Sequence, residues 1–261
     1  MIAWNKLQIN FKSLSFSILS GVAWANFGNP QLVQALTLIP SDLNPGDQYR
    51  LVFVTSTTRN ALSTQISDYN AFVDATAKAE DSLLKDLDTT WNAIGSTSTV
   101  DARDNTNTNP EENIGVPIYL IDGNRVANNN ADLWDGSILV QIDRTEKDNV
   151  VDRTPPFGFT NVWTGTNFEG FGRLNDELGT NNPHPVRGIA NLSGISTGQS
   201  WIAGSFNIGI DSSFLFAMYG MSGTLTVPSV VAPSTPEPNG LLGLLTLGGL
   251  ILAGTVSKSR K

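Results

Sequence analysis

No cysteine occurs anywhere in the 261 residues, and that absence narrows the ways this chain can fold. It has no disulfides and no thiolate metal ligands, so core packing alone must hold it. The composition makes this demanding. Gly is abundant at 24 residues, and Asn, Ser and Thr crowd the region between residues 55 and 110. Such a mixture suits a loop-rich exported globule better than a helical bundle. An oxidising compartment permits disulfides but does not demand them.

Both ends read as sorting segments. Residues 1–35 form a signal peptide: Lys6 and Lys12 open it, a moderately apolar stretch follows, and small-x-small sites end at Ala25 and Ala35. At the other end, residues 229–239 are a Pro/Ser linker with little capacity to pack. Residues 240–256 carry no charge and read as a short transmembrane segment. Residues 257–261 form a basic tail containing Lys258, Arg260 and Lys261. Basic residues after a span favour the cytoplasmic side, which places the body, residues 36–228, outside the inner membrane.

Within the body, residues 48–56 (QYRLVFVTS) have apolar side chains on both parities and predict a strand covered on both faces. Ile66, Tyr69, Val73 and Ala77 recur on one helical face after a capping Ser63 or Thr64. Leu83, Leu84, Leu87, Trp91 and Ile94 continue at helical spacing, so a second helix is expected over residues 80–94. Residues 117–121 and 125–127 flank an Asp122-Gly123 turn and predict a hairpin. Residues 138–142 read as a strand, and Trp163 and Trp201 mark further strand ends. Residues 225–227 predict a closing strand, placed to pair with the opening one. Three long polar loops are left, at residues 96–113, 128–136 and 167–182.

The net charge of −8 excludes a typical nucleic-acid binder, because phosphate recognition needs a basic face. Five of the 16 basic residues lie in the terminal segments. His184 is the single histidine and sits between prolines, which argues against zinc chemistry and a Ser/His/Asp constellation. No Gly-x-Ser-x-Gly elbow or phosphate-cradling loop occurs. Asp101 and Asp104 supply loop oxygens of the type calcium accepts, but their spacing matches no complete ion loop. Calcium is therefore the one cofactor in view, and no metal-ligand set is assigned. Asn130, Asp132 and Asp135 surround Trp134; such a patch can bind a sugar through stacking and hydrogen bonds, or the Trp can plug the core. Paired carboxylates of a hydrolase are a matter of three-dimensional separation that 24 acidic residues leave open.

Two resemblances follow from these residues. Pro236-Glu237-Pro238, the Gly/Leu-rich span and the Lys258, Arg260, Lys261 tail resemble the tripartite PEP-CTERM sorting signal of Gram-negative bacteria and cyanobacteria. That resemblance implies processing by an exosortase-type membrane protease and export, with surface or exopolysaccharide association. The body carries, in order, residues 50–56, Ala102-Arg103-Asp104, residues 117–119, residues 122–127, Ala131-Asp132-Leu133-Trp134-Asp135-Gly136, Val162-Trp163-Thr164-Gly165-Thr166 and Ser200-Trp201. This order resembles bacterial secreted domains of the C-type-lectin-like and endostatin-like kind. It implies an α+β, C-type-lectin-like mixed fold, with two helices against short twisted antiparallel strands, long loops on one side and adjacent chain ends. The family's usual cysteines are missing here, and the body has no Glu-Pro-Asn or Trp-Asn-Asp motif.

The expected function is that of an exported, non-enzymatic surface or matrix-associated protein of unknown ligand, tethered as a precursor and then extracellular or on the outer cell surface. Its expected partners are the exosortase-type protease, the inner membrane, and a polysaccharide or a surface protein. The alternatives are a carbohydrate-binding module using Trp134, Asp132, Asp135 and Asn130, and a hydrolase with paired carboxylates.

Overall fold

The computed structural model describes residues 38–151, 160–180, 184–192, 196–204 and 210–229. The expected signal peptide, most of the expected linker with Pro236, Glu237 and Pro238, the apolar residues 240–256 and the basic residues 257–261 lie outside these residues. Among the described residues no helix is long and apolar enough to cross a membrane.

The fold is mixed α/β, with many short strands and few helices. Strand β1 (Gln48–Val54) is its axis. Its partners are β3 (Ile118–Leu120), β7 (Tyr219–Ser222) and β8 (Leu225–Thr226). Strand β2 (Trp91–Ala93) extends the sheet beyond β7, and β4 (Arg125–Ala127) extends it beyond β3. A separate two-stranded sheet pairs β5 (Asn161–Trp163) with β6 (Arg187–Ile189). The expected pairing of the opening and closing strands is present, with Gln48 opposite Thr226 and Tyr49 opposite Leu225. Reciprocal bonds between residues 46–47 and Val227 extend it at 2.9 Å, so the two ends of the domain lie side by side.

The double apolar parity of β1 divides the core in two. Val52 and Val54 face one cluster with Ile118, Leu120, Leu133, Trp134, Trp201 and Tyr219. Leu51 and Phe53 face the other, with Tyr69, Val73, Leu84, Trp91 and Trp163. Each fully buried aliphatic side chain contributes about 1.5–3 kcal/mol. This double-sided burial does the work that disulfides cannot do in a chain without cysteine.

Helix α1 (Ile66–Ala77) packs Tyr69, Val73 and Ala77 on the second cluster. Gly220 on β7 makes the approach feasible: a Cβ there would stand 2.5 Å from Val73 Cγ1. Ser63 organises the start of the helix, though not as its N-cap. Its Oγ accepts from Gln65 N at 3.1 Å and donates to Asp68 Oδ2 at 2.6 Å.

Four expectations require correction. The second helix over residues 80–94 is absent. Asp86, Asp88, Thr89 and Thr90 favour turns, the chain turns at Leu84–Leu87, and Trp91–Ala93 pairs with β7 instead. The remaining helices are single turns: α2 (Ala102–Asn105), α3 (Asn130–Leu133) and α4 (Ser200–Ala203). Trp201 thus sits on a helical turn rather than at a strand end. The sheet is not wholly antiparallel, because β1 and β3 run parallel; the long crossover between them, containing α1, makes that geometry available. Residues 138–142 form no strand; Ile138 N and Leu139 N donate separately to Thr197 O and Val126 O.

Candidate functional site

The three polar loops meet on one face of the domain. Thr108, in loop 96–113, receives the Trp134 indole N–H through its carbonyl at 3.2 Å and its hydroxyl at 3.0 Å. Arg103 N donates to Gly170 O at 3.3 Å, and Gly172 N donates to Asp101 Oδ1 at 2.6 Å. Leu178 N donates to Ser96 O at 2.9 Å. Loop 96–113 therefore lies between the other two and bonds to both.

Loop 96–113 is itself fixed from below by Arg50 on β1. The Arg50 guanidinium donates to the carbonyls of Thr106, Asn107 and Ser222 at 2.8–3.2 Å. Burial lowers its pKa from the ordinary arginine value. Three backbone acceptors satisfy it, and Asn107 adopts a positive φ of 54° where the chain bends past it.

The residues expected to bind a ligand serve the loops. Trp134 is 5% exposed and its ring lies 5.8 Å from that of Trp201 within the core. No open ring face is left for a sugar to stack on, so Trp134 plugs the core. Asn130 is fully buried and donates to Asn113 O and Oδ1. Asp132 Oδ2 accepts from the backbone and side-chain nitrogens of Asn128. Asp135 Oδ1 accepts from Ser137 N and Oγ. Asp132 and Asp135 shape their own loop in this way, Asn130 ties it to Asn113, and the three bond to separate partners.

The exposed aromatic here is Phe171, which sequence reasoning did not single out. Phe171 projects from the 167–172 turn, where Asn167 Oδ1 accepts from Glu169 N and Phe171 N at 3.0 Å. The Arg103 guanidinium carbon lies 3.6 Å from the Phe171 ring centroid, a cation–π stack that fixes the ring. Arg103 also faces Glu111 at 3.7 Å. Glu177 is only 7% exposed. Gly170 and Gly172 mark this turn in the sequence, whereas its pairing with Arg103 is not visible from spacing.

Of the two acids considered for calcium, Asp104 is held by Asn109 Nδ2 at 2.8 Å, and Asp101 is turned toward Gly172. Among the described residues, no group of three or more His, Cys, Asp and Glu side chains is arranged to hold a metal ion. His184 places Nδ1 3.2 Å from Ile210 O.

A concavity of about 310 Å³ lies between α1 and residues 146–147. Glu146, 1% exposed, accepts from Ser56 N at 2.9 Å and from Ser56 Oγ. Lys147 Nζ lies 2.5 Å from Asp81 and 4.0 Å from Glu146, bridging the two carboxylates. The hydrogen bond from Lys147 holds Asp81 below the usual carboxylate range. A lysine between two acids neutralises them, which disfavours use of the pair as acid and base for hydrolysis.

The chain matches no protein-family model and no curated protein.

Proposed function

We propose that this chain is an exported, non-enzymatic protein of the cell surface or extracellular matrix, delivered by a PEP-CTERM signal. The observation that carries the reading is the pairing of β1 with β8, which sets both ends of the domain side by side. A domain with adjacent ends can be carried on one stalk, and the Pro/Ser linker with Pro236, Glu237 and Pro238 follows at once. The signal peptide directs export, the apolar span holds the precursor in the inner membrane, and an exosortase-type protease removes the tail. The mature domain then presents its loop face to the exterior. The paired terminal strands, the mixed sheet and the one-sided loop cluster support a C-type-lectin-like fold.

Fractionation of cells with and without an exosortase-type protease tests this reading. The full chain is expected to leave the membrane fraction only where the protease is present, and to stay there when Pro236, Glu237 and Pro238 are replaced by Ala. Release without the protease contradicts the reading.

A carbohydrate-binding module is a second reading, and Phe171 favours it. Phe171 is 36% exposed, and Arg103 braces one face of its ring. An aromatic ring fixed in place offers a sugar a stacking surface at low entropic cost.

A further inference from the structure

We propose that the loop face takes a sugar residue bearing a carboxylate, with Arg103 binding the acid and Phe171 stacking on the sugar. This deepens the carbohydrate-binding reading and rests on it. Arg103 is 8% exposed, yet its Nε is buried without a hydrogen-bond partner among the described residues. Its Nη2 stands 3.7 Å from Glu111 Oε2, beyond hydrogen-bond range. Arg50, buried beneath the same loop, donates to three backbone carbonyls and is satisfied by the fold itself. A buried guanidinium with donors to spare points instead to an acceptor from outside, and its charge selects an anion.

Glu111 shows the way in. Its side chain is 75% exposed, so a carboxylate already approaches Nη2 from the solvent side. That contact is loose. A ligand carboxylate forming two short charge-assisted bonds to the planar fork displaces it.

The arginine is set in place beforehand. Arg103 N donates to Gly170 O at 3.3 Å, and Thr108 N donates to Arg103 O at 2.7 Å. Gly170 lets the turn lie against it, since a Cβ there would stand 3.0 Å from Arg103 Cβ and 2.9 Å from the Trp134 ring. The guanidinium carbon lies 3.6 Å from the Phe171 ring centroid. Cation and ring are thus held together before a ligand arrives, which lowers the entropic cost of binding. With a net charge of −8 the chain has no general attraction for polyanions. Recognition of the acid therefore rests on one guanidinium and shows on a short sugar.

Calorimetric titration of the full chain in detergent tests this, using a trisaccharide of galacturonic acid and its carboxyl-reduced, neutral counterpart. The acidic sugar is expected to bind tighter by about tenfold or more. Glu111→Gln removes the competing carboxylate and should raise that preference by about two- to fivefold. Phe171→Ala should weaken both sugars. Arg103→Gln should level the two; because that side chain is buried, the exposed Glu111 and Phe171 variants carry the test if it fails to fold. The proposal is overturned if the parent binds both sugars equally, or if Glu111→Gln leaves the preference unchanged. Equal binding that is lost on Phe171→Ala overturns it while leaving the carbohydrate-binding reading standing, and binding of neither sugar overturns both.

Discussion

The indole N–H of Trp134 donates to Thr108 Oγ1 at 3.0 Å, joining loop 128–136 to loop 96–113 inside the core. This contact makes Trp134 a structural residue. Replacing it with Ala removes a large buried ring and is expected to destabilise the domain by about 3–5 kcal/mol. Trp134→Phe keeps most of the packing and loses the bond, at a cost of about 1–3 kcal/mol for the unpaired acceptors. Denaturant unfolding measures both. A Trp134→Ala protein as stable as the parent would show that the ring is not buried as described.

Arg50 is expected to behave as a second structural pin. Its guanidinium satisfies the carbonyls of Thr106, Asn107 and Ser222 in the interior. Arg50→Met fills similar volume but leaves those acceptors without their donor, and the expected cost is about 2–4 kcal/mol. Hydrogen exchange should show the loss of protection concentrated in residues 102–108, the segment that Arg50 anchors.

Phe171 tests the carbohydrate-binding reading. Phe171→Ala removes an exposed ring and should change stability by no more than about 1 kcal/mol. If the loop face binds polysaccharide, a pull-down with exopolysaccharide loses the protein on this substitution and keeps it on Leu215→Ala, another exposed apolar position. Equal retention of both variants would rule out Phe171 as the stacking surface.

Acid should weaken the hold on the first described segment. Slight burial pushes the Asp42 carboxyl upward, but hydrogen bonds from Arg125 and Tyr119 outweigh it and hold the group below its ordinary value. A depressed folded-state pKa contributes stability that is present above the unfolded value and lost as pH falls through the folded one. The window lies below about pH 4. Asp42 is half exposed, so the screened contribution is less than about 1 kcal/mol. Asp42→Asn should flatten the acid limb of a stability–pH curve while leaving the neutral plateau within that margin.

Local patterns were legible in the sequence where they agreed with tertiary packing. The double parity of residues 49–54 announced a strand buried on both faces, and position alone suggested its pairing with residues 225–226. The apolar face of α1 was equally plain. Residues 80–94 misled because Leu83, Leu84, Leu87 and Trp91 repeat at helical spacing while forming turns and an edge strand. That outcome depends on β7, more than 120 residues downstream. The site was less legible for the same reason. The Asn- and Asp-rich stretch around Trp134 drew the eye, yet Asp132 and Asp135 bond within their own loop, and Asn130 and Trp134 tie it to loop 96–113. Asp101 and Gly172 meet only because the fold sets their loops side by side, and no spacing rule connects them.

The central claim is that the chain is trimmed at both ends and displayed outside the cell. Intact mass of the protein recovered from the surface or medium of a host with an exosortase-type protease tests it most directly. The account predicts a species that begins after Ala35 and has lost the apolar span and the basic tail, Lys258 to Lys261, while keeping residues 38–229 whole. A surface or soluble form that still carries the C-terminal span, or a chain found only in the cytoplasm with its first 35 residues attached, would contradict it.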